Sequence, residues 1–301
     1  MKQEHLLICL LTALLTAPFV GASARAATIT VEVIATFDYP GAASTYPFAI
    51  NNNNEIAGSA GATGTAGFGF TRTADGQFSG PLVDANMYTE VYGLNDSGTV
   101  CGFYLGADNY HGFFLSGGTY TTYDVPGESA TEVTGINNAA DFVGTYFDPV
   151  TVFQGFISVG GTVTKIDIPG GTYIRPFGLN SGDQVVGFYS DASNGGSGFY
   201  SDPSGQLQYP INAPHGKNTF LYGINDQGVM VGGYATQSGH SRATHGLLIF
   251  NGPNQLVTVD YAGSSNVVLT GINNKGFICG YYTDSNNNWH GLFARARHTA
   301  E

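Results

Sequence analysis

Gly93-Leu94-Asn95-Asp96-Ser97-Gly98-Thr99-Val100-Cys101-Gly102-Phe103-Tyr104 is one of six versions of a single pattern. Its head recurs as Ala49-Ile50-Asn51-Asn52, Gly135-Ile136-Asn137-Asn138, Gly178-Leu179-Asn180-Ser181, Gly223-Ile224-Asn225-Asp226 and Gly271-Ile272-Asn273-Asn274. The first Asn residues are spaced by 44, 42, 43, 45 and 48. Seven residues after each stands a glycine: Gly58, Gly102, Gly144, Gly187, Gly232 and Gly280. Nine residues after stands Tyr104, Tyr146, Tyr189, Tyr234 or Tyr282, with Ala60 the one departure. A fixed period of this length defines the fold before any motif does.

Working outward, each unit holds four short apolar or alternating stretches separated by Gly, Asn, Asp and Pro clusters. In the second unit they run over 90–94, 99–104, 112–115 and 119–123. That is the pattern of four short strands and their turns. The Asn-Asn-x-Gly type segment between the first two stretches tolerates positive φ and reads as a hairpin turn. Four strands per unit of about 43 residues match a propeller blade. The chain enters with Ile29–Phe37 and then Asp38-Tyr39-Pro40-Gly41, which matches the unit ends Asp124-Val125-Pro126-Gly127 and Asp167-Ile168-Pro169-Gly170. It leaves after only three strands of the last unit, near 291–297. These ends predict an all-β, six-bladed β-propeller of four-stranded antiparallel blades. The N-terminal strand would close the last blade and remove an open edge.

The Ile-Asn-Asn…Val-Gly…His-Gly-Phe unit resembles the HAF repeat of bacterial extracellular repeat proteins. The triplet is written here His111-Gly112-Phe113, His245-Gly246-Leu247 and His290-Gly291-Leu292, and the His is missing from the other three units. The resemblance covers nearly all of the chain after its leader. It implies an exported propeller-like repeat protein and assigns no activity to particular residues.

The composition agrees with a β-rich chain: Gly supplies 44 residues, Tyr 18 and Phe 20, while only 11% are charged. Ten Lys and Arg stand against 22 Asp and Glu, a net charge of −12, which disfavours nucleic acid and anionic membranes. Lys2, an apolar run over 6–20 and the small residues Ala22-Ser23-Ala24-Arg25-Ala26 predict a signal peptide over residues 1–26. Residues 27–301 form the expected single propeller domain, secreted or periplasmic and monomeric. The apolar run is shorter than the roughly 20 residues a spanning helix needs.

Familiar catalytic signatures are missing from the mature sequence, and no metal or cofactor is expected. Cys101 and Cys279 occupy the same offset in units two and six, too far apart for the ~7 Å Cα separation of a disulfide. They read as buried free thiols. The repeated His before the third stretch and the Asp at unit ends (Asp38, Asp124, Asp167, Asp260) read as hydrogen-bonding devices that fix turns. Asp284-Ser285-Asn286-Asn287-Asn288 has alternating oxygens but lacks the Gly and the closing Glu of a calcium loop.

Function is sought where the repeat breaks. Five residues before the unit Asn, the chain reads Tyr46, Glu90, Glu132, Arg175, Phe220 and Val268. Neighbouring units thus present Glu, Glu and Arg at one end of the axis. Carboxylates about 5 to 9 Å apart flank the bond cleaved by sugar hydrolases, and an Arg can hold one of them ionised. The leading expectation is a binding or scaffold propeller for a glycan or cell-surface partner, with ligand contacts from Tyr46, His215, Lys217, His240 and Arg242. Trp289 and Tyr110, if exposed, suit stacking on sugar faces; core packing or lone surface placement is the leading reading of each. The alternative is a carbohydrate-active hydrolase or lyase using Glu90, Glu132 and Arg175. The bland reading of those three is an ion pair in which Arg175 neutralises Glu132.

Overall fold

The computed structural model describes residues 28–62, 67–82, 88–148, 152–191, 195–214, 216, 218–236, 245–250, 252 and 255–299. Among these the structure is all-β. The entering strand β1 spans Thr28–Phe37. The first unit supplies β2 (Ser44–Ile50), β3 (Ile56–Gly61), β4 (Phe68–Arg72) and β5 (Phe78–Leu82). The second supplies β6 (Thr89–Leu94), β7 (Val100–Leu105), β8 (Tyr110–Ser116) and β9 (Thr119–Tyr123). In the third are β10 (Thr131–Ile136), β11 (Phe142–Asp148), β12 (Val152–Val159) and β13 (Thr162–Lys165). The fourth has β14 (Gly171–Leu179), β15 (Val185–Asp191), β16 (Gly195–Ser201) and β17 (Leu207–Ile211). Then come β18 (Asn218–Ile224), β19 (Met230–Ala235), β20 (His245–Ile249) and β21 (Leu256–Val259) in the fifth. The last unit has β22 (Val267–Ile272), β23 (Phe277–Thr283) and β24 (Trp289–Thr299).

Strands within a unit pair antiparallel in sequence order, and β1 pairs antiparallel with β24 across the length of the chain, from Thr28↔Thr299 to Phe37↔Gly291. Units one and two and the pair of ends form four-stranded sheets, whereas units three to five run together as one twelve-stranded sheet. This departs from six separate sheets. Its cause is local: single parallel bridges, Phe153↔Tyr173 and Gly196↔Asn218, tie the third strand of one unit to the first strand of the next.

The first strands β2, β6, β10, β14, β18 and β22 each touch the next, and β22 touches β2. The anchoring Asn explains the closure. Asn51 Nδ2 donates to the carbonyl of Asn95, Asn95 to Asn137, Asn137 to Asn180, Asn180 to Asn225 and Asn225 to Asn273, at 3.2 to 3.3 Å. Asn273 donates to Asn51 at 2.9 Å and returns to the start. Each Asn Oδ1 also accepts the backbone N–H groups two and four residues on, which fixes the turn. The Asn amide supplies, on separate atoms, both the Nδ2 donor that reaches the next unit and the Oδ1 acceptor that holds its own turn.

Two further columns of the repeat follow from packing. The third strands bury Phe70, Phe113, Phe156, Phe199, Leu247 and Leu292 completely or nearly so. A Cβ on the glycine seven after each Asn would lie 1.9 to 2.4 Å from a first-strand carbonyl oxygen: Tyr46, Glu90, Glu132, Arg175 or Phe220, and 2.2 Å from that of Val268. No other residue fits there without moving the backbone. Cys101 and Cys279 are free and buried, and burial raises both thiol pKa values, that of Cys279 to about 12. Among the described residues no helix is long and apolar enough to cross a membrane.

Candidate functional site

In every first strand the pairing slips by one residue, at Pro47/Ala49, Val91/Gly93, Val133/Gly135, Pro176/Gly178, Leu221/Gly223 and Leu269/Gly271. Such a bulge re-aims the side chain it carries. The bulged residues are Phe48, Tyr92, Thr134, Phe177, Tyr222 and Thr270. Thr134 and Thr270 turn their hydroxyls to the neighbouring carbonyls of Pro176 and Pro47, at 2.7 and 2.8 Å. The four aromatic members line a cavity of about 730 Å³ at the end of the axis where the first strands begin. Beyond them the axis narrows, because a Cβ on Gly93, Gly135, Gly178 or Gly223 would lie 3.1 to 3.3 Å from the Cα of the glycine in the next unit.

The wall is aromatic on most sides. Tyr46, Tyr281 and Trp289 meet at 5.3 to 5.8 Å between ring centroids, and Phe48 stacks on Tyr92 at 4.5 Å. Across the cavity Phe188 stacks on Phe220 at 4.4 Å and Phe177 packs on Tyr222 at 4.8 Å. Glu90 supplies the one carboxylate among the described lining residues. Its oxygens accept hydrogen bonds from the hydroxyls of Tyr88 and Tyr92, the latter at 2.6 Å. Burial, reinforced by the Glu90 charge, raises both phenol pKa values, so these groups remain donors.

Arg175 lines the cavity, and its guanidinium reaches back to the buried carboxylate of Glu132, which also accepts from Thr145 at 3.4 Å. Burial alone would lower the Arg175 pKa; the Glu132 charge and the Tyr173 hydroxyl outweigh it and raise it, so the guanidinium stays charged. The guanidinium carbon lies 5.5 to 5.9 Å from the ring centres of Phe153, Tyr173 and Phe177.

The structure thus brings Tyr46, Glu90 and Arg175 to one cavity and leaves Glu132 behind the wall. Trp289 is 7% exposed, because it packs between Tyr46 and Tyr281 in the cavity wall. Tyr110 lies edge-on against Phe103 at 5.3 Å, away from that lining. His215, Lys217, His240 and Arg242 lie outside the described residues. The bulge column escaped sequence reasoning, although its four aromatics at one offset were there to be read. The Asp284 segment is closed on itself: Asp284 Oδ1 accepts from the backbone N–H groups of Asn286 and Asn288 at 2.8 and 2.9 Å. Among the described residues no group of three or more His, Cys, Asp or Glu is placed to hold a metal ion.

An all-β chain whose repeated units close around an axis, with a cavity at one end of it, is a protein of the β-propeller type, and solved structures similar to this chain include propellers. One is a chain of a mitotic checkpoint complex, at a TM-score of 0.52 and 12% identity, covering 96% of this chain and 99% of that one. Another is TolB from Acinetobacter baumannii, at a TM-score of 0.50 and 11% identity over 84% of this chain. This chain spans 55% of the TolB chain's length. A third is the Aleuria aurantia lectin with bound alpha-methyl-L-fucoside, at a TM-score of 0.49, 10% identity and coverage of 90% and 94%, a likeness too distant to say what this chain binds. No family profile and no curated protein matches the sequence.

Proposed function

We propose that the chain is an exported six-bladed propeller of four-stranded blades, of the HAF-repeat kind, that binds one carbohydrate ligand in the aromatic cavity at the end of its axis. The closed ring of six Asn hydrogen bonds and the β1–β24 pairing support the blade count. The observation that carries the function is the cavity itself: about 730 Å³, walled by rings from several units, with polar groups confined to a few points such as Glu90 and Arg175. Concave apolar sites with few placed polar groups are built to hold a small ligand, and flat aromatic faces suit the C–H faces of sugar rings. A hydrolase reading is less well supported, because Glu132 is committed to Arg175 and, among the described residues, the cavity keeps one carboxylate.

Trp289 is the chain's single tryptophan and lies in the wall, so its fluorescence reports occupancy. A panel of oligosaccharides titrated against the purified chain should include one that shifts this emission, with no release of reducing ends. Tyr46→Ala should weaken that binding about fivefold or more. Emission that no oligosaccharide moves defeats the carbohydrate reading; release of reducing ends that stops in Glu90→Gln restores the hydrolase.

A further inference from the structure

Glu90 and Glu132 occupy the same position of neighbouring units, five residues before Asn95 and Asn137. Glu132 receives its cation from that same position one unit further on, where Arg175 stands 43 residues along the chain. That cation is seated against the rings of Phe153, Tyr173 and Phe177. One sector of the site is therefore a finished example of a cation held between a carboxylate and aromatic faces.

The Glu90 sector has the carboxylate but not the cation, and its rings, Tyr88 and Tyr92, come from its own unit, whereas Tyr173 and Phe177 come from the unit that supplies Arg175. The unit following Glu90 offers Glu132, an acid, where the unit following Glu132 offers Arg175. Among the described residues the hydrogen-bond donors to Glu90 are two neutral hydroxyls, from Tyr88 and Tyr92. From Tyr92 the wall continues through Phe48, Tyr46, Tyr281 and Trp289, with neighbouring centroids 4.5 to 6.4 Å apart. The Arg175–Glu132 charges cancel, so the described lining carries one negative charge with no partner of opposite sign. Ring faces carry negative electrostatic potential, and a cation resting on them beside a carboxylate gains from both.

We infer that the ligand presents a cationic nitrogen to Glu90, and hence that the carbohydrate is an amino sugar with its amine free. The inference rests on the carbohydrate reading above and narrows it. A neutral or N-acylated sugar fills the same space without supplying the missing charge.

The test compares a glucosamine tetramer with free amines, its N-acetylated counterpart and a glucose tetramer, each titrated against the full exported chain and followed by Trp289 emission. The free-amine tetramer should bind about tenfold tighter than either neutral one, and the advantage should shrink as salt is raised. In Glu90→Gln the advantage of the free-amine tetramer over the neutral ones should vanish. General attraction of a polycation to a chain of net charge −12 would survive that substitution, so an advantage retained in Glu90→Gln overturns the inference. Equal binding of all three tetramers to the wild-type chain also overturns it and leaves the carbohydrate reading standing. Failure of all three to bind overturns the inference, and the wider oligosaccharide panel then decides the carbohydrate reading. If Glu90→Gln does not fold, a glucosamine tetramer with one free amine and the rest N-acetylated keeps the result decisive: it should still bind the wild-type chain tighter than the fully N-acetylated tetramer, and equal binding overturns the inference.

Discussion

His111 holds its imidazole between two carboxylates, with Nδ1 3.0 Å from Asp124 and Nε2 2.9 Å from Asp108, while Tyr104 stacks on the ring at 5.4 Å. The trio returns as His245 with Asp260 and Tyr234, and as His290 with Asp38 and Tyr282. In the third unit Gln154 takes the histidine's place and donates to the carbonyl of Ile166 at 2.6 Å. The repeated histidine is therefore a fastener between the third strand and the unit end, and Gln is its uncharged equivalent. The hydrogen bond to Asp108, helped by Asp124 and opposed by burial, raises the His111 pKa above its ordinary value. A folded value above the unfolded one, about 6.5, means that this contribution is complete below the unfolded value and is lost as pH rises through the folded one. His111→Gln should therefore lower the thermal midpoint by about 1 to 3 °C more at about pH 5.5 than at about pH 8.5. Melting curves of both chains at both pH values decide it, and a difference indifferent to pH would show that the ring acts through packing alone.

Between β10 and β11 the bulge at Thr134 pushes the carbonyl of Glu132 toward the second strand, where Gly144 leaves it room. A Cβ on Gly144 would stand 2.2 Å from that oxygen and 2.8 Å from the ring of Phe156. Gly144→Ala should cost about 3 kcal/mol, through displaced backbone and an overfilled core. A denaturant midpoint equal to wild type would refute the steric account. The glycine column was plain in the sequence while its cause was not, since the cause is a bulge on another strand and alternation has no sign for a bulge. The same gap hid part of the site. Residues five before the Asn were legible as converging, and Tyr46, Glu90 and Arg175 do converge. Phe48, Tyr92, Phe177 and Tyr222 were missed because strict alternation assigns no special direction to a residue that a bulge swings toward the axis. Trp289 opens a strand next to a turn, and its burial depends on Tyr281 of the adjacent strand and on Tyr46 of the first unit, a contact between chain ends that no local pattern displays.

At the scale of the molecule, the closing strand does more than cover an edge. Phe37, at the end of β1, lies over Gly291 and also joins the core formed by Ile50, Ile56 and Cys279. The guanidinium of Arg72 rests on its ring at 4.6 Å. One residue thus links the first unit, the last unit and the entering strand, while Ile29 at the other end of β1 is buried against Leu269 and Leu292 in the last unit's core. An annular fold has no terminal repeat to shield its interface, so the contacts that join its two ends bear on every unit through their neighbours. A chain lacking residues 28–37 should expose the paired side of β24 as an open, unprotected edge. Its thermal midpoint should fall by more than about 10 °C, and it should associate at concentrations where the intact chain does not. Melting followed by circular dichroism and mass measured by light scattering give the two readouts. A truncated chain that melts like the parent and keeps the parent's mass would mean that the Asn ring, with its return bond from Asn273 to Asn51, holds the circle closed unaided.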